Sequence, residues 1–308
     1  MNTKTLTRTA TAAAAATALA LTLAACGGGS NDADAIDLDV FRIAYLPNED
    51  AAHVADARAS IAAELEAALG IPVEEFITSD YAAMVEAMRL GHVEMAFFGP
   101  LSFTRAHDRA GAIPMAQFAP EGDPALSEIR SVMVTRADSG LYSLDDVEGA
   151  TMAFVDPDST TGTLLPSNAL IEHFADRNLT LDDLQTNGRL FNTVLFSGGH
   201  AASLTAVLMG DVDVAAISSR FISAGIERGE FAEDYLRIIY ATDVVPGNTL
   251  AVRPGLGDEL METLANFLWE FDNEVFFYGF QGNADLRFVP SKLSDFDELI
   301  ALDARLSQ

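Results

Sequence analysis

The chain has 308 residues and a single cysteine, Cys26, so it can neither close an internal disulfide nor build a four-cysteine zinc site. Its only lysines are Lys4 and Lys292, and its only tryptophan is Trp269. Basic residues number 18 against 46 acidic ones, a formal net charge of −28. Binding a nucleic-acid backbone needs a basic face, which this composition does not supply. The chain does not lack apolar residues: 49% are hydrophobic and 21% charged, which excludes a disordered polymer. His53, His92, His107 and His173 show no metal-ligand spacing to one another, and no cofactor or metal is expected. The acidic excess reads as a solvated surface, and its poverty in lysine suits work in high salt. The length fits two domains, each able to bury its own core.

The first 25 residues read as an address. Lys4 and Arg8 stand without an acid, and ten to twenty-five (ATAAAAATALALTLAA) are small and apolar, too short and alanine-rich for a comfortable membrane span. The segment ends Leu23-Ala24-Ala25-Cys26, which resembles the lipobox of bacterial lipoproteins and implies cleavage before Cys26 and a lipid on its thiol. An ordinary signal peptide with a stray cysteine is the plainer alternative. Residues 26–37, beginning Gly27-Gly28-Gly29-Ser30, read as a flexible tether. Cleavage would remove two positive charges and no negative ones, leaving 16 basic against 46 acidic residues. No later segment is long and apolar enough to span a bilayer, so the expected product is a body tethered outside the cytoplasmic membrane by its lipid alone.

From residue 38 onward strands alternate with helices. Val40–Leu46, Val73–Ile77 and Val93–Phe98 read as strands, and Asp50–Leu69 and Tyr81–Leu90 as helices closed by Gly70 and Gly91. The middle repeats the logic with strands at Ser131–Arg136, Thr151–Val155, Asn192–Phe196 and Val212–Ile217. Between them lie a short acidic helix at Ser143–Gly149 and helices at Leu164–Arg177 and Ala201–Met209. Leu236–Ala241 and Asn248–Val252 read as strands and Asp258–Phe271 as a helix. The dense aromatics Phe267, Trp269, Phe271, Phe276 and Phe277 read as core. The pattern predicts an α/β protein of two lobes, each a mainly parallel sheet flanked by helices, with a cleft between them. Ligands of such sheets bind beyond the carboxyl ends of strands, which selects Phe98–Ser102, Asp156–Gly162, Phe196–His200 and Ser218–Ser219.

Asp156–Gly162 carries the most chemistry. A strand runs into Ser159, Thr160, Thr161 and Gly162 and then a helix, whose first N–H groups are unpaired and lie at the positive end of its dipole. Three hydroxyls add neutral donors, and Gly162 would let backbone approach a ligand, an anion cradle. Pro166 places the helix start near Gly162 or Thr163, with the hydroxyls in the loop before it. The alternative is an N-cap run with no ligand. The glycine-lysine pair of a nucleotide P-loop is missing.

Four segments together resemble the phosphate, phosphite and phosphonate substrate-binding proteins of ABC transporters. Asp-Pro-Asp-Ser-Thr-Thr-Gly-Thr-Leu-Leu-Pro (156–166) is similar to that family's DP-x-STSG-x-L-x-P. Ser79-Asp80-Tyr81 with Met88, Phe97-Phe98-Gly99-Pro100-Leu101-Ser102, and Gly199-His200 through Val212-Asp213 match its other segments in order. The resemblance implies a periplasmic-binding-protein fold of type II with the ligand clamped in the interlobe cleft. The lobes would be 38–130 with 247–308, and 131–246. It implies delivery to an ABC permease and its ATPase, no catalysis, and a monomer. Ligand contacts carry over to Tyr81, Phe98, Ser159, Thr160, Thr161, Gly162, His200, Ser219 and Asn248. Tyr81 read on its own is equally a core tyrosine, and His200 a capping histidine; as a ligand, His200 would change charge near neutral pH.

Departures from the family pattern narrow the ligand. Phe98 stands where the family has a phenol. Arg220 and Asn248 stand where aminoethylphosphonate-binding relatives place the carboxylates that receive an ammonium. The expected ligand is therefore a small phosphorus oxyanion without an amine: phosphite, phosphate or an alkylphosphonate, with Phe98 packing on its substituent. Two other classes stay open. A lipoprotein sensor domain for a membrane receptor would have the same lobes. A serine hydrolase would use Ser159 or Ser197, but Ser197 lacks the nucleophile-elbow glycine pattern and His200 lacks an identifiable orienting acid.

Overall fold

The computed structural model describes residues 38–47 and 52–307; Cys26, the leader and the tether lie outside them. In chain order the elements are β1 (Phe41–Ala44), α1 (Ala52–Leu69), β2 (Val73–Phe76), α2 (Tyr81–Arg89), β3 (Met95–Phe98), α3 (Pro100–Ala110), β4 (Ile113–Pro120) and β5 (Glu128–Arg136). Then come β6 (Thr151–Phe154), a π-helical turn (Thr160–Leu164), α4 (Leu165–His173), α5 (Leu181–Gln185), β7 (Thr193–Phe196), α6 (His200–Met209), β8 (Val214–Ser218) and α7 (Arg220–Glu227). The chain closes with β9 (Leu236–Pro246), β10 (Thr249–Val252), α8 (Asp258–Glu270), α9 (Glu274–Gln281), β11 (Leu286–Pro290) and α10 (Asp297–Leu306).

These strands form two sheets, ordered β11-β4-β10-β3-β1-β2 and β7-β6-β8-β5-β9. β1 pairs in parallel with β2 and β3, and β6 with β7 and β8. β10 and β11 run against the other strands of the first sheet, and β5 against the other strands of the second. Four of six and four of five strands thus share a direction. The sequence pattern missed β4 and β11. β4 carries Pro114 and Pro120 and β11 ends on Pro290, residues that argue against a strand except at edges and ends. α3, also missed, starts on Pro100 at its first turn and stops at Gly111, whose φ of 69° is the left-handed conformation that glycine accepts cheaply.

One apolar core covers the first sheet, centred on Phe97, Phe118, Phe276, Phe277, Phe280 and Phe288, whose rings meet at edge-to-face and stacked separations of 4.8–6.1 Å. Trp269 is not part of it: the indole is 50% exposed on α8, because the buried face of that helix belongs to Leu264 and Leu268. Separate cores cover the two faces of the second sheet. A fourth cluster joins the two bodies. Leu101 of α3 and Leu299 of α10 pack with Leu164 and Leu165 at the start of α4. The chain passes between the sheets twice, before β5 and between β9 and β10.

The turn after β6 is wider than the sequence predicts. Ser159 is its N-cap, and its Oγ accepts from Gly162 N–H at 3.1 Å. Thr160 and Thr161 lie inside the first turn, not in the loop before it. Pro166 has no N–H for the carbonyls one turn back. External donors serve them instead: Ser131 Oγ donates to Thr161 O at 2.6 Å, and Val155 N–H to Gly162 O at 3.2 Å. Gly162 is required by this packing. A Cβ there would lie 2.4 Å from Val155 Cβ and 2.8 Å from Ser159 Oγ. We therefore expect Gly162→Ala to destabilise the protein by about 1–3 kcal/mol, the range for overpacking a filled site. An unchanged denaturant midpoint would refute this.

Candidate functional site

Four strand ends meet at one small cavity. Gly99 follows β3, Ser159, Thr160 and Thr161 follow β6, His200 follows β7, and Ser218 ends β8. Tyr81, Ile129, Arg220 and Asn248 complete the wall, with Leu46. The cavity holds about 20 Å³, little more than the room one water occupies. Three of the hydroxyl side chains, Ser159, Thr160 and Thr161, are almost wholly buried.

Five helix beginnings point their first turns here. Tyr81 is the first residue of α2, Gly99 caps α3, Ser159 caps the π-turn, His200 opens α6 and Arg220 opens α7. A helix beginning carries positive potential from its first N–H groups; some of these are already taken, Gly162 N–H by Ser159 Oγ, Leu101 N–H by Thr160 Oγ1 and Ala83 N–H by the Asp80 carboxylate that caps α2. Among the described residues, none that lines the cavity is acidic. The arrangement suits a compact anion.

The hydroxyls are held in place by bonds that use their acceptor side. Ser159 Oγ accepts from Gly162 N–H, so the cap reading holds for that atom. Thr160 Oγ1 accepts from Leu101 N–H at 2.9 Å, a bond between the two bodies. A hydroxyl that accepts still has its proton to donate. His200 Nδ1 accepts from Ser218 N–H at 3.2 Å. The one proton of the neutral ring is then on Nε2, which becomes the donor it can offer. The imidazole packs on Phe221 at 4.9 Å, and the Arg220 guanidinium lies 4.2 Å from the Phe221 ring.

Two acids close to the cradle are turned away from it. Asp156 accepts from Asp158 N–H at 2.8 Å, and Asp158 pairs with Arg105 of α3. Burial pushes both carboxyls above the ordinary carboxylate value, and Arg105 opposes the shift at Asp158.

Of the residues expected from sequence, Tyr81, Ser159, Thr160, Thr161, His200 and Asn248 come together on this cavity. Three do not. Phe98 is fully buried in the core of the first sheet and cannot pack on a substituent. Strand alternation turns its ring inward and presents Gly99 instead. Gly162 spends its N–H on Ser159 and serves the contact with Val155. Ser219 lies on the wall of a neighbouring, larger cavity. Sequence reasoning weighed Arg220 only as a missing carboxylate; the structure makes it a wall of the site and its cation.

Residues 43–296 match the family described as ABC transporter, phosphonate, periplasmic substrate-binding protein. The chain belongs to this family. It is 28% identical over 228 residues to the phosphate-import protein PhnD of Mycolicibacterium smegmatis, covering 73% of this chain and 70% of that one. The phosphonates-binding periplasmic protein of Escherichia coli is 27% identical over 251 residues, covering 77% and 70%. The fold is that of PhnD1 from Prochlorococcus marinus, solved in complex with methylphosphonate, with a TM-score of 0.72 at 19% identity over 87% of this chain and 98% of that one. Family members are solute-binding proteins that work outside the cytoplasmic membrane. The two-lobed α/β architecture expected from sequence is the one observed.

His200 corrects a second expectation. Burial first, and then the Arg220 charge, hold its pKa down at about 3. The ring stays neutral near physiological pH, contrary to the expected switch. The unfolded chain takes up a proton near pH 6.5 that the folded protein refuses. Stability from this group is therefore complete above pH 6.5 and is lost as pH falls towards 3. Ring NMR signals of His200 should show no titration between about pH 5 and 8; a midpoint near 6.5 would contradict the buried neutral ring.

Proposed function

We propose that the protein captures a small phosphorus oxyanion without an amine and hands it to the permease of an ABC importer. The ligand classes are phosphite, phosphate and alkylphosphonates. The observation that carries the reading is a small cavity bounded by five helix beginnings, buried hydroxyls and Arg220, with no acid among the described residues of its wall. The hinge lies where the chain crosses between the sheets, so the moving bodies are residues 38–130 with 247–308, and 131–246. Closure seals the oxyanion away from water, where each hydrogen bond to it is stronger. The protein acts as a monomer, and its partners are the permease and its ATPase.

What the candidate serines touch supports solute binding over the serine-hydrolase reading. Ser197 Oγ bonds Gly199 O and Ser203 Oγ, and Ser159 Oγ bonds Gly162 N–H; neither is held by a histidine. His200 receives a backbone N–H where a triad would place a carboxylate.

An ammonium in this cavity would lose its water, meet no carboxylate among the described lining residues and face Arg220, and an unpaired buried charge costs several kcal/mol. Methylphosphonate or phosphite should bind at least about tenfold more tightly than aminoethylphosphonate, a gap of about 1.4 kcal/mol. Arg220→Glu with Asn248→Asp should narrow or reverse that gap. Calorimetry showing aminoethylphosphonate as the tightest ligand of the wild type would overturn the reading.

The lipid anchor is a separate part of the proposal and rests on Leu23–Cys26. Cys26→Ser should release the protein from the membrane fraction into the soluble one. Retention of the variant in washed membranes would show that Cys26 is not the anchor.

A further inference from the structure

The cavity that would hold the phosphorus headgroup adjoins a second one of about 500 Å³. Ile129, Ser218, Arg220 and Asn248 belong to both walls, so the two cavities lie side by side against the same four residues. A headgroup alone does not explain that space, which lies in the range of pockets that hold organic ligands.

Its wall mixes two kinds of residue. Phe118, Val132, Ile238 and Val244 are apolar. Ile238 and Val244 are more than a third exposed, although both are large aliphatics on a strand. Other lining residues offer donors. Gln281 Nε2, at the end of α9, is buried and has no hydrogen-bond partner. Asn283 spends its oxygen on Asp285 N–H, which leaves its amide hydrogens. Arg130 and Arg220 bring two guanidinium groups, against one acid, Glu128. A buried donor left unpaired costs free energy that a bound acceptor would recover.

Building on the phosphorus-oxyanion reading of the small cavity, we propose that the large cavity receives the substituent of an organophosphonate, an alkyl linker ending in a carboxylate. The linker packs on the aliphatic side chains of the wall and the carboxylate meets Gln281, Arg130 and Arg220. The class is the carboxyalkylphosphonates, and it agrees with the exclusion of an amine, since the cations that welcome a carboxylate repel an ammonium.

The test is calorimetry of the full chain with phosphate, methylphosphonate, butylphosphonate and 4-phosphonobutyrate. The last two differ only in a terminal methyl or carboxylate. We expect 4-phosphonobutyrate to bind at least about tenfold more tightly than butylphosphonate, a factor that about 1.4 kcal/mol supplies. Gln281→Leu and Arg130→Ala should each reduce that advantage at least about threefold while methylphosphonate affinity stays within error. Arg130 is exposed, so its variant folds even if that of Gln281 does not. If phosphate or methylphosphonate binds but 4-phosphonobutyrate is no tighter than butylphosphonate, the substituent site is refuted and the headgroup reading stands. An advantage that survives in Arg130→Ala refutes the assignment of the carboxylate to that guanidinium. If none of the four binds, the headgroup reading falls and this inference with it.

Discussion

Thr160 does two jobs with one hydroxyl. Its oxygen accepts the Leu101 N–H at the start of α3, and its proton remains for a ligand. α3 belongs to the six-stranded body and Thr160 to the turn leaving the five-stranded one, so the bond exists only while the two bodies are together. Neighbouring contacts reinforce it. Arg105 of the same helix pairs with Asp158, two residues before Thr160, and with Asp303 of α10 at 3.4 Å. Leu101 and Leu299 pack on Leu164 and Leu165, just beyond the hydroxyl run. In the proposed capture, the same six or seven residues of chain would cradle the anion and hold the cleft shut. Ligand capture and closure would then be coupled by sequence proximity, with no longer route needed.

An anion site in a chain of net charge −28 is an electrostatic problem that local geometry solves. Surface acids are screened over about 8 Å at physiological ionic strength. The acids that screening cannot reach, Asp156 and Asp158, are turned onto Arg105 and backbone N–H groups. Helix beginnings supply the positive potential without mobile side chains, and Arg220 adds the one full charge among the described residues of the wall. Neutral His200 contributes a donor that does not depend on pH over the ordinary range. Such fixed dipoles lose no side-chain entropy when a ligand arrives, which is the advantage of amides over lysines in this role.

Much of this was legible along the chain. The alternation of strands and helices, the strand-to-helix step at Asp156–Gly162 and the order of four short segments were enough to expect two lobes, the family and most of the cavity wall. These are local features: helix periodicity, glycine stops and hydroxyls before a helix each depend on a few adjacent residues. Where reading failed, the cause was a contact with something distant in sequence. Gly162 looked like ligand backbone because glycine serves both close approach and close packing, and only Val155 beside it distinguishes the two. Phe98 looked like a site residue because it ends a strand, but the pleat turns its ring inward. His200 looked like a switch because a free imidazole titrates near neutrality, and nothing local reveals its burial under Phe221 and Arg220.

The class of ligand came from the resemblance of four ordered segments to a family. By itself the sequence determined which donors and acceptors were on offer: a hydroxyl-rich helix start, a chain without a basic surplus, and no carboxylate at 220 or 248. Those follow from residue identity, because which atoms can donate or accept is written in the side chains. Only the tertiary structure decided that five helices begin around one cavity, that Arg220 rather than Phe98 faces it, and that a second cavity opens beside it. Those depend on how residues 40 to 200 positions apart meet, and the free energy that brings them together comes from burying the whole core, which no single segment encodes.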